Sequence, residues 1–172
     1  MPLKSLRAWL GVDTPTHDEF APLRGTLDAL DHLEPERARY LAAFAYLLGR
    51  VAHADQHFSP EETSTMETLV QEHGQLSRDQ AMVVVQLAKQ ATLLFGGTAN
   101  FLVAREFSAL ATYDQKLALM RCLFAVSATD AAISTTEEGQ IHAIAKELRI
   151  DHPDLVALRV EHGRHLPGVS RD

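Results

Sequence analysis

Apolar residues recur at every third or fourth position along most of this chain, which is the period of an amphipathic α-helix. Three consecutive valines at 83–85 have the composition of a strand, but the flanking alanine, glutamine, leucine and lysine residues favour a helix. No other stretch has the alternation and the turn residues of a β-hairpin. The pattern therefore predicts an all-α fold of roughly eight helices.

Residues that start and stop helices place the predicted boundaries. Pro35 suits the first position of a helix that runs to Ala52, and the small residues of this helix let others approach it closely, so we predict it at the centre of the core. Capping boxes pair a Ser or Thr with a Glu or Gln three residues later, and they are predicted at Ser59, Thr112 and Ser134. Further helices are predicted over residues 3–10, from 18 to about 33, from 77 to about 96, over 99–111, and from 152 to about 163.

A unit made of a helix, an acidic turn and a second helix occurs twice. A shift of 75 positions places Asp55 on Asp130 and Glu62 on Glu137. Each aspartate follows an apolar helix, and each glutamate lies in the first turn of the next helix. We therefore predict a compact single-domain bundle with an internal pseudo-twofold duplication, whose repeat units span about 38–73 and 113–148.

The acidic turns have two interpretations. In the first they only punctuate helices, because Glu62 and Glu137 complete capping boxes and aspartate commonly stabilises turns. In the second, packing of the two units would bring both turns to one end of the bundle, where close carboxylates repel one another unless a cation neutralises them. Hard cations such as Ca²⁺ and Mg²⁺ prefer oxygen ligands. The predicted metal ligands are Asp55, Glu62, Asp130, Glu137, Glu61 and Glu138.

The residues of the turns also bear on two other kinds of metal site, the EF-hand and the transition-metal site. The turns are not EF-hands, because the twelfth position counted from each aspartate is Met66 or Ile141 instead of glutamate. His53 and His57 flank Asp55, and imidazole with carboxylate suits zinc or nickel, so these histidines are weaker candidate ligands. The alternative is that these two histidines bind no metal and are solvated in the turn.

Composition and charge limit the classes of function that the sequence suggests. A length of 172 residues fits one domain, and a net charge of -7 argues against a nucleic-acid surface. The single cysteine, Cys122, lies in an apolar stretch and is expected to be a small buried side chain. With no disulfide, signal peptide or membrane-spanning segment in the pattern, we expect a cytoplasmic protein. No nucleophile elbow, phosphate loop or zinc-protease motif occurs, so an enzyme is not predicted.

The two acidic segments, VAHADQHFSPEE and VSATDAAISTTEE, resemble the twin A-D-G-x-I-S-x-x-E segments of the tellurite-resistance TerB-like family. This family includes the N-terminal domain of a membrane-anchored DnaJ-like co-chaperone. The resemblance covers about 38–158 and implies a duplicated all-helical bundle with an acidic metal-binding patch at Asp55, Glu62, Asp130 and Glu137. The chain departs from the family pattern at Gln56 and Ala131, where glycine is expected.

The resemblance also suggests how the chain is organised and what it does. We expect a short helix and linker at 1–17, a TerB-like domain at 18–165 and a tail at 166–172. The implied role is that of a non-enzymatic stress-response module that binds a divalent cation and other proteins near the membrane surface. The alternative is a purely structural interaction scaffold without a metal site. The ion, the partners and the oligomeric state do not follow from the sequence.

Overall fold

A computed structural model of the protein describes residues 32–52, 60–89, 100–128 and 135–162. These residues form seven α-helices and no strand, which confirms the predicted all-α class, and the valines at 83–85 are helical. The predicted helix at 3–10, nearly all of that at 18–33 and the tail at 166–172 lie outside this part of the chain. The helices are α1 (Pro35–Ala52), α2 (Pro60–Gly74), α3 (Arg78–Lys89), α4 (Asn100–Leu110), α5 (Tyr113–Ser127), α6 (Thr135–Glu147) and α7 (His152–Glu161).

Helix α1 is the centre of the core, as the sequence predicts. Every residue from 40 to 48 is buried, so this helix is covered on all its faces. It packs against α3, α4, α5 and α6. The rings of Tyr40 and Phe107 stack with their centroids 5.4 Å apart, and the ring of Phe44 meets that of Phe107 edge-on at 6.2 Å. This aromatic cluster joins α4 to α1.

Local signals set the helix ends that the structure describes. The Thr112 hydroxyl accepts a hydrogen bond from the Gln115 backbone at 3.2 Å, and the Gln115 side chain accepts one from the Thr112 backbone at 2.8 Å. This reciprocal pair confirms the predicted capping box of α5. Ser59 and Ser134, the other two predicted caps, lie outside the described residues. Helix α7 begins after Asp151, with a proline in its first turn.

The two predicted units have matching helix boundaries. The ends of α1 and α5, at Ala52 and Ser127, are 75 positions apart, and so are the starts of α2 and α6, at Pro60 and Thr135. Helix α2 packs on α5, and α6 packs on α1, so the second helix of each unit contacts the first helix of the other. These features fit a duplicated unit. The pseudo-twofold symmetry itself stays a prediction.

Two glycines test how tightly the helices pack. A Cβ atom on Gly74, at the end of α2, would lie 3.1 Å from Phe44 Cζ and 3.3 Å from Cys122 Sγ, whereas one on Gly139 in α6 would meet nothing within 4 Å.

We expect Gly139→Ala to raise the free energy of unfolding by about 0.5–1 kcal/mol, because glycine is a poor helix former. We expect Gly74→Ala to lower it by about 1–2 kcal/mol through overpacking.

Urea denaturation followed by circular dichroism at 222 nm (a standard helix signal) measures both effects on the same scale. The two variants make the same chemical change in two helices, so each serves as the control for the other. Equal shifts of the midpoint in the same direction would contradict the close packing of α2 against Phe44 and Cys122.

Candidate functional site

Most of the predicted metal ligands fall outside the described part of the chain. His53, Asp55, His57 and Asp130 belong to the segments 53–59 and 129–134, which the structure does not describe. Glu62 lies in α2, but its side chain is likewise outside the description. The distance between the two acidic turns is therefore still a sequence-based expectation.

The other three predicted ligands occupy different environments. Glu61 is exposed in the first turn of α2. Glu137 lies in the first turn of α6 and is only 5% exposed, which makes it one of two buried polar side chains in the described residues. Within the described residues, no group of three or more His, Cys, Asp or Glu side chains is placed to hold a metal ion.

Glu138 makes contacts that a metal ligand would have to give up. Its Oε1 atom accepts a hydrogen bond from Nε of Arg159 in α7 at 2.8 Å. The same oxygen lies 2.8 Å from Nη2 of Arg159 in an ion pair and 3.7 Å from His142 Nε2. The carboxylate is thus held between α6 and α7. Binding a cation at Glu138 would compete with the guanidinium of Arg159.

A partly buried charged cluster joins α1 to α6. Arg50 donates to the Glu147 carboxylate at 2.7 and 3.4 Å, and to the Gln140 side chain at 3.3 Å. The side chains of Arg50 and Glu147 are only 10% and 24% exposed. Burial raises the pKa of the neighbouring Tyr46 hydroxyl, while the positive charge of Arg50 opposes this rise.

This cluster connects the two units. Arg50 lies five residues before Asp55, at the end of the helix that leads into the first acidic turn. Its partner Glu147 belongs to α6, which follows the second acidic turn. Sequence reasoning missed the pair, because its members are 97 positions apart. One feature of the sequence could have indicated that Arg50 has a partner: it is the only Asp, Glu, Lys or Arg residue between positions 40 and 54.

Comparison with known proteins assigns the family. A family model described as tellurite resistance protein TerB matches residues 40–160. The chain belongs to the TerB family. The match covers both acidic turns and confirms the resemblance seen in the sequence. No curated protein and no solved structure matches the chain. In the part of this TerB chain that the structure describes, none of the helices combines the length and the apolarity that crossing a membrane requires.

Polar side chains are buried on both sides of the second acidic turn of this TerB domain. Ser127, the last residue of α5, is 2% exposed, and its hydroxyl oxygen has no hydrogen-bond partner in the described residues. Glu137 follows the turn and is also buried. An unsatisfied buried hydroxyl costs about 1–3 kcal/mol, so its burial needs a compensating reason. Sequence reasoning predicted a role for Glu137 but none for Ser127.

The cysteine of the TerB domain is a buried residue of the core. Cys122 is fully buried in α5 and packs near Leu69 of α2, as expected for a small apolar side chain. Burial raises the pKa of its thiol to about 12, so the thiol stays protonated at neutral pH. A buried, protonated thiol is a poor nucleophile.

Proposed function

We propose that this TerB domain binds a divalent cation at its two acidic turns and acts as a non-enzymatic interaction module in a cytoplasmic stress response of the tellurite-resistance type. The observation that carries the proposal is the buried carboxylate of Glu137, at 5% exposure, in the first turn that follows Asp130. Burying a carboxylate requires compensation by hydrogen bonds or by positive charge. Glu137 already has an interaction partner in the structure, and a cation bound at the turn would add positive charge to that compensation.

The oxygen-rich ligand set determines the proposed ion. Asp55, Glu62, Asp130 and Glu137 offer only carboxylate oxygens, and Ser127 would add a hydroxyl oxygen beside the second turn. Oxygen ligands favour Ca²⁺ or Mg²⁺ over zinc or nickel, which imidazole and thiolate bind better. Because His53 and His57 flank only the first turn, a transition metal would be bound at one unit and not at both.

Calorimetric titration of the chelator-stripped protein with Ca²⁺, Mg²⁺, Zn²⁺ and Ni²⁺ tests the proposal. We expect saturable binding of Ca²⁺ or Mg²⁺, which the double variant Asp55→Asn/Asp130→Asn should lose, because an amide cannot neutralise the ion. Asp151→Asn is the matched control, since Asp151 caps α7 without a side-chain hydrogen bond and belongs to no acidic turn. Absence of binding, with equal thermal stability of the wild type and the double variant, would refute cation binding.

One observation favours a second candidate, a scaffold that binds proteins without a metal. Val156 and Val160 lie four residues apart on one face of α7 and are 42% and 72% exposed. Exposed apolar side chains on a helix are common at protein interfaces. For a scaffold, the acidic turns would serve only to cap helices, so Asp130→Asn would leave both stability and partner binding unchanged.

A further inference from the structure

A groove between α4 and α6 has a charge opposite to that of the whole chain. It has a volume of about 640 Å³. Its walls are formed by α4 and by the last turn of α6, and the residues that line it are Arg105, Ser108, Ala109, Lys146, Glu147 and Arg149. The net charge of the chain is -7, yet three of these six side chains are cationic and one is anionic. The groove is therefore a local basic site on an acidic protein.

The nearby carboxylates do not neutralise the groove, because arginines of α1 bind them. Glu147 pairs with Arg50 at 2.7 Å. Glu106, the residue after Arg105, pairs with Arg39 at 2.6 Å. Both of these arginines belong to the central helix α1, against which α4 and α6 pack. The arginines of α1 thus pair with the two acidic side chains that could otherwise neutralise cations of the groove.

The three groove cations are left without an ion-pair partner in the described part of the chain. Lys146 and Arg149 lie at the C-terminal end of α6, where positive side chains complement the helix dipole. That explanation does not extend to Arg105, which lies in the middle of α4. Like charges that face one another across a groove repel, so an anion between them would be stabilising.

Arg149, which lines the groove, has an unfavourable backbone conformation. It follows α6 with φ of 58°, in the left-handed region where glycine is usual. The backbone N–H of Ile150 donates to Ala145 at 2.9 Å, and that of Arg149 donates to Lys146 at 3.1 Å, which is the hydrogen-bond pattern of a Schellman motif. Glycine would fit this position with less strain. Arginine is therefore strained here relative to glycine, as is Gln75, which follows α2 with φ of 57°.

We propose that this groove binds a phosphate monoester or diphosphate group. Two guanidinium groups and one ammonium group match the charge of a doubly ionised phosphate, and arginine forks bind phosphate oxygens in a bidentate manner. The Ser108 hydroxyl adds a neutral donor. The volume suits a small organic phosphate or the headgroup of an anionic phospholipid. The site is independent of cation binding at the acidic turns, since the two share no residue.

Titration with pyrophosphate, monitored by calorimetry on the full chain, tests the proposal. We expect saturable binding that weakens about tenfold or more in Arg105→Gln and in Arg149→Gly, since each removes a charge-assisted contact. Arg78→Gln is the matched control, because Arg78 is an exposed arginine at the start of α3, away from the groove. It should bind as the wild type does.

The Arg149→Gly variant separates binding from folding. Glycine suits the left-handed conformation, so its melting temperature should rise while its affinity for pyrophosphate falls. Absence of saturable binding to the wild type, or an equal loss in Arg78→Gln, would overturn the proposal. So would unchanged affinity in both groove variants.

Vesicles distinguish the two sources of the phosphate. Phosphatidylcholine vesicles containing phosphatidic acid present a monoester, and those containing phosphatidylglycerol present a diester of lower charge. Sedimentation with phosphatidic acid vesicles alone, lost in Arg105→Gln, would assign the groove to a lipid headgroup. Pyrophosphate binding without sedimentation would assign it to a soluble phosphate. Equal sedimentation with both anionic vesicles would contradict recognition of a monoester.

Discussion

Replacing Phe107 by alanine is expected to lower the free energy of unfolding by about 3–5 kcal/mol. The Phe107 ring is fully buried, and it stacks on Tyr40 and meets Phe44 edge-on. Its removal loses apolar burial and two aromatic contacts, and it leaves a cavity between α4 and the central helix that packed helices cannot fill without moving. Domains of this size are stable by about 5–15 kcal/mol, so the loss is a large part of the total.

Urea denaturation followed by circular dichroism gives the size of this effect, and Val160→Ala is its control. Val160 is 72% exposed, so its truncation should change stability by less than about 0.5 kcal/mol. Phe107→Leu should fall between the two, because leucine fills part of the space. If Phe107→Ala cost no more than Val160→Ala, the packing of α4 on α1 would be wrong.

The centre of the fold could be predicted because its signals are local. The apolar period, a proline at the first position and small residues along the helix identify α1 as the core helix. Thr112 and Gln115 are three residues apart, so the capping box could be read from the sequence alone. Each of these features depends on neighbours within one or two helical turns.

The polar contacts between helices could not be predicted, because they depend on how the helices pack. Glu147 is an ordinary surface glutamate in the sequence, and only the packing of α6 on α1 brings it to Arg50. Among the residues that the structure describes, the same packing leaves Arg105 and Arg149 without carboxylate partners across one groove. A sequence pattern gives the face of a helix on which a residue lies, but it does not give the residue opposite.

The candidate metal site could be predicted only in part. The repeat identifies Asp55 and Asp130 as equivalent positions, and the capping pattern places Glu137 in the first turn of α6, where the structure has it. The burial of Glu137 was not predicted, because the first turn of a surface helix is usually solvated. Whether the two turns share one ion depends on the arrangement of the two units about each other, which no spacing in the sequence determines.

Replacing Arg50 by methionine is expected to lower the free energy of unfolding by about 2–3 kcal/mol. Methionine keeps much of the length of arginine but leaves the Glu147 carboxylate partly buried without its partner, and such a charge is costly. The double variant Arg50→Met/Glu147→Met should recover part of this loss, because it removes both charges and keeps the apolar contact between α1 and α6. Thermal and urea denaturation of the single and double variants measure the coupling between the two residues.

A second ion pair provides the control. Glu138→Met breaks the contact with Arg159 and leaves an arginine whose side chain is 44% exposed, so water solvates the remaining charge and the loss of stability should be smaller. Arg50 also fixes the end of the helix that precedes Asp55 to the helix that follows Asp130. If both turns bind one cation together, Arg50→Met should weaken the binding of Ca²⁺ or Mg²⁺ and should also lower the free energy of unfolding. Equal affinity in Arg50→Met and the wild type would show that each turn acts alone.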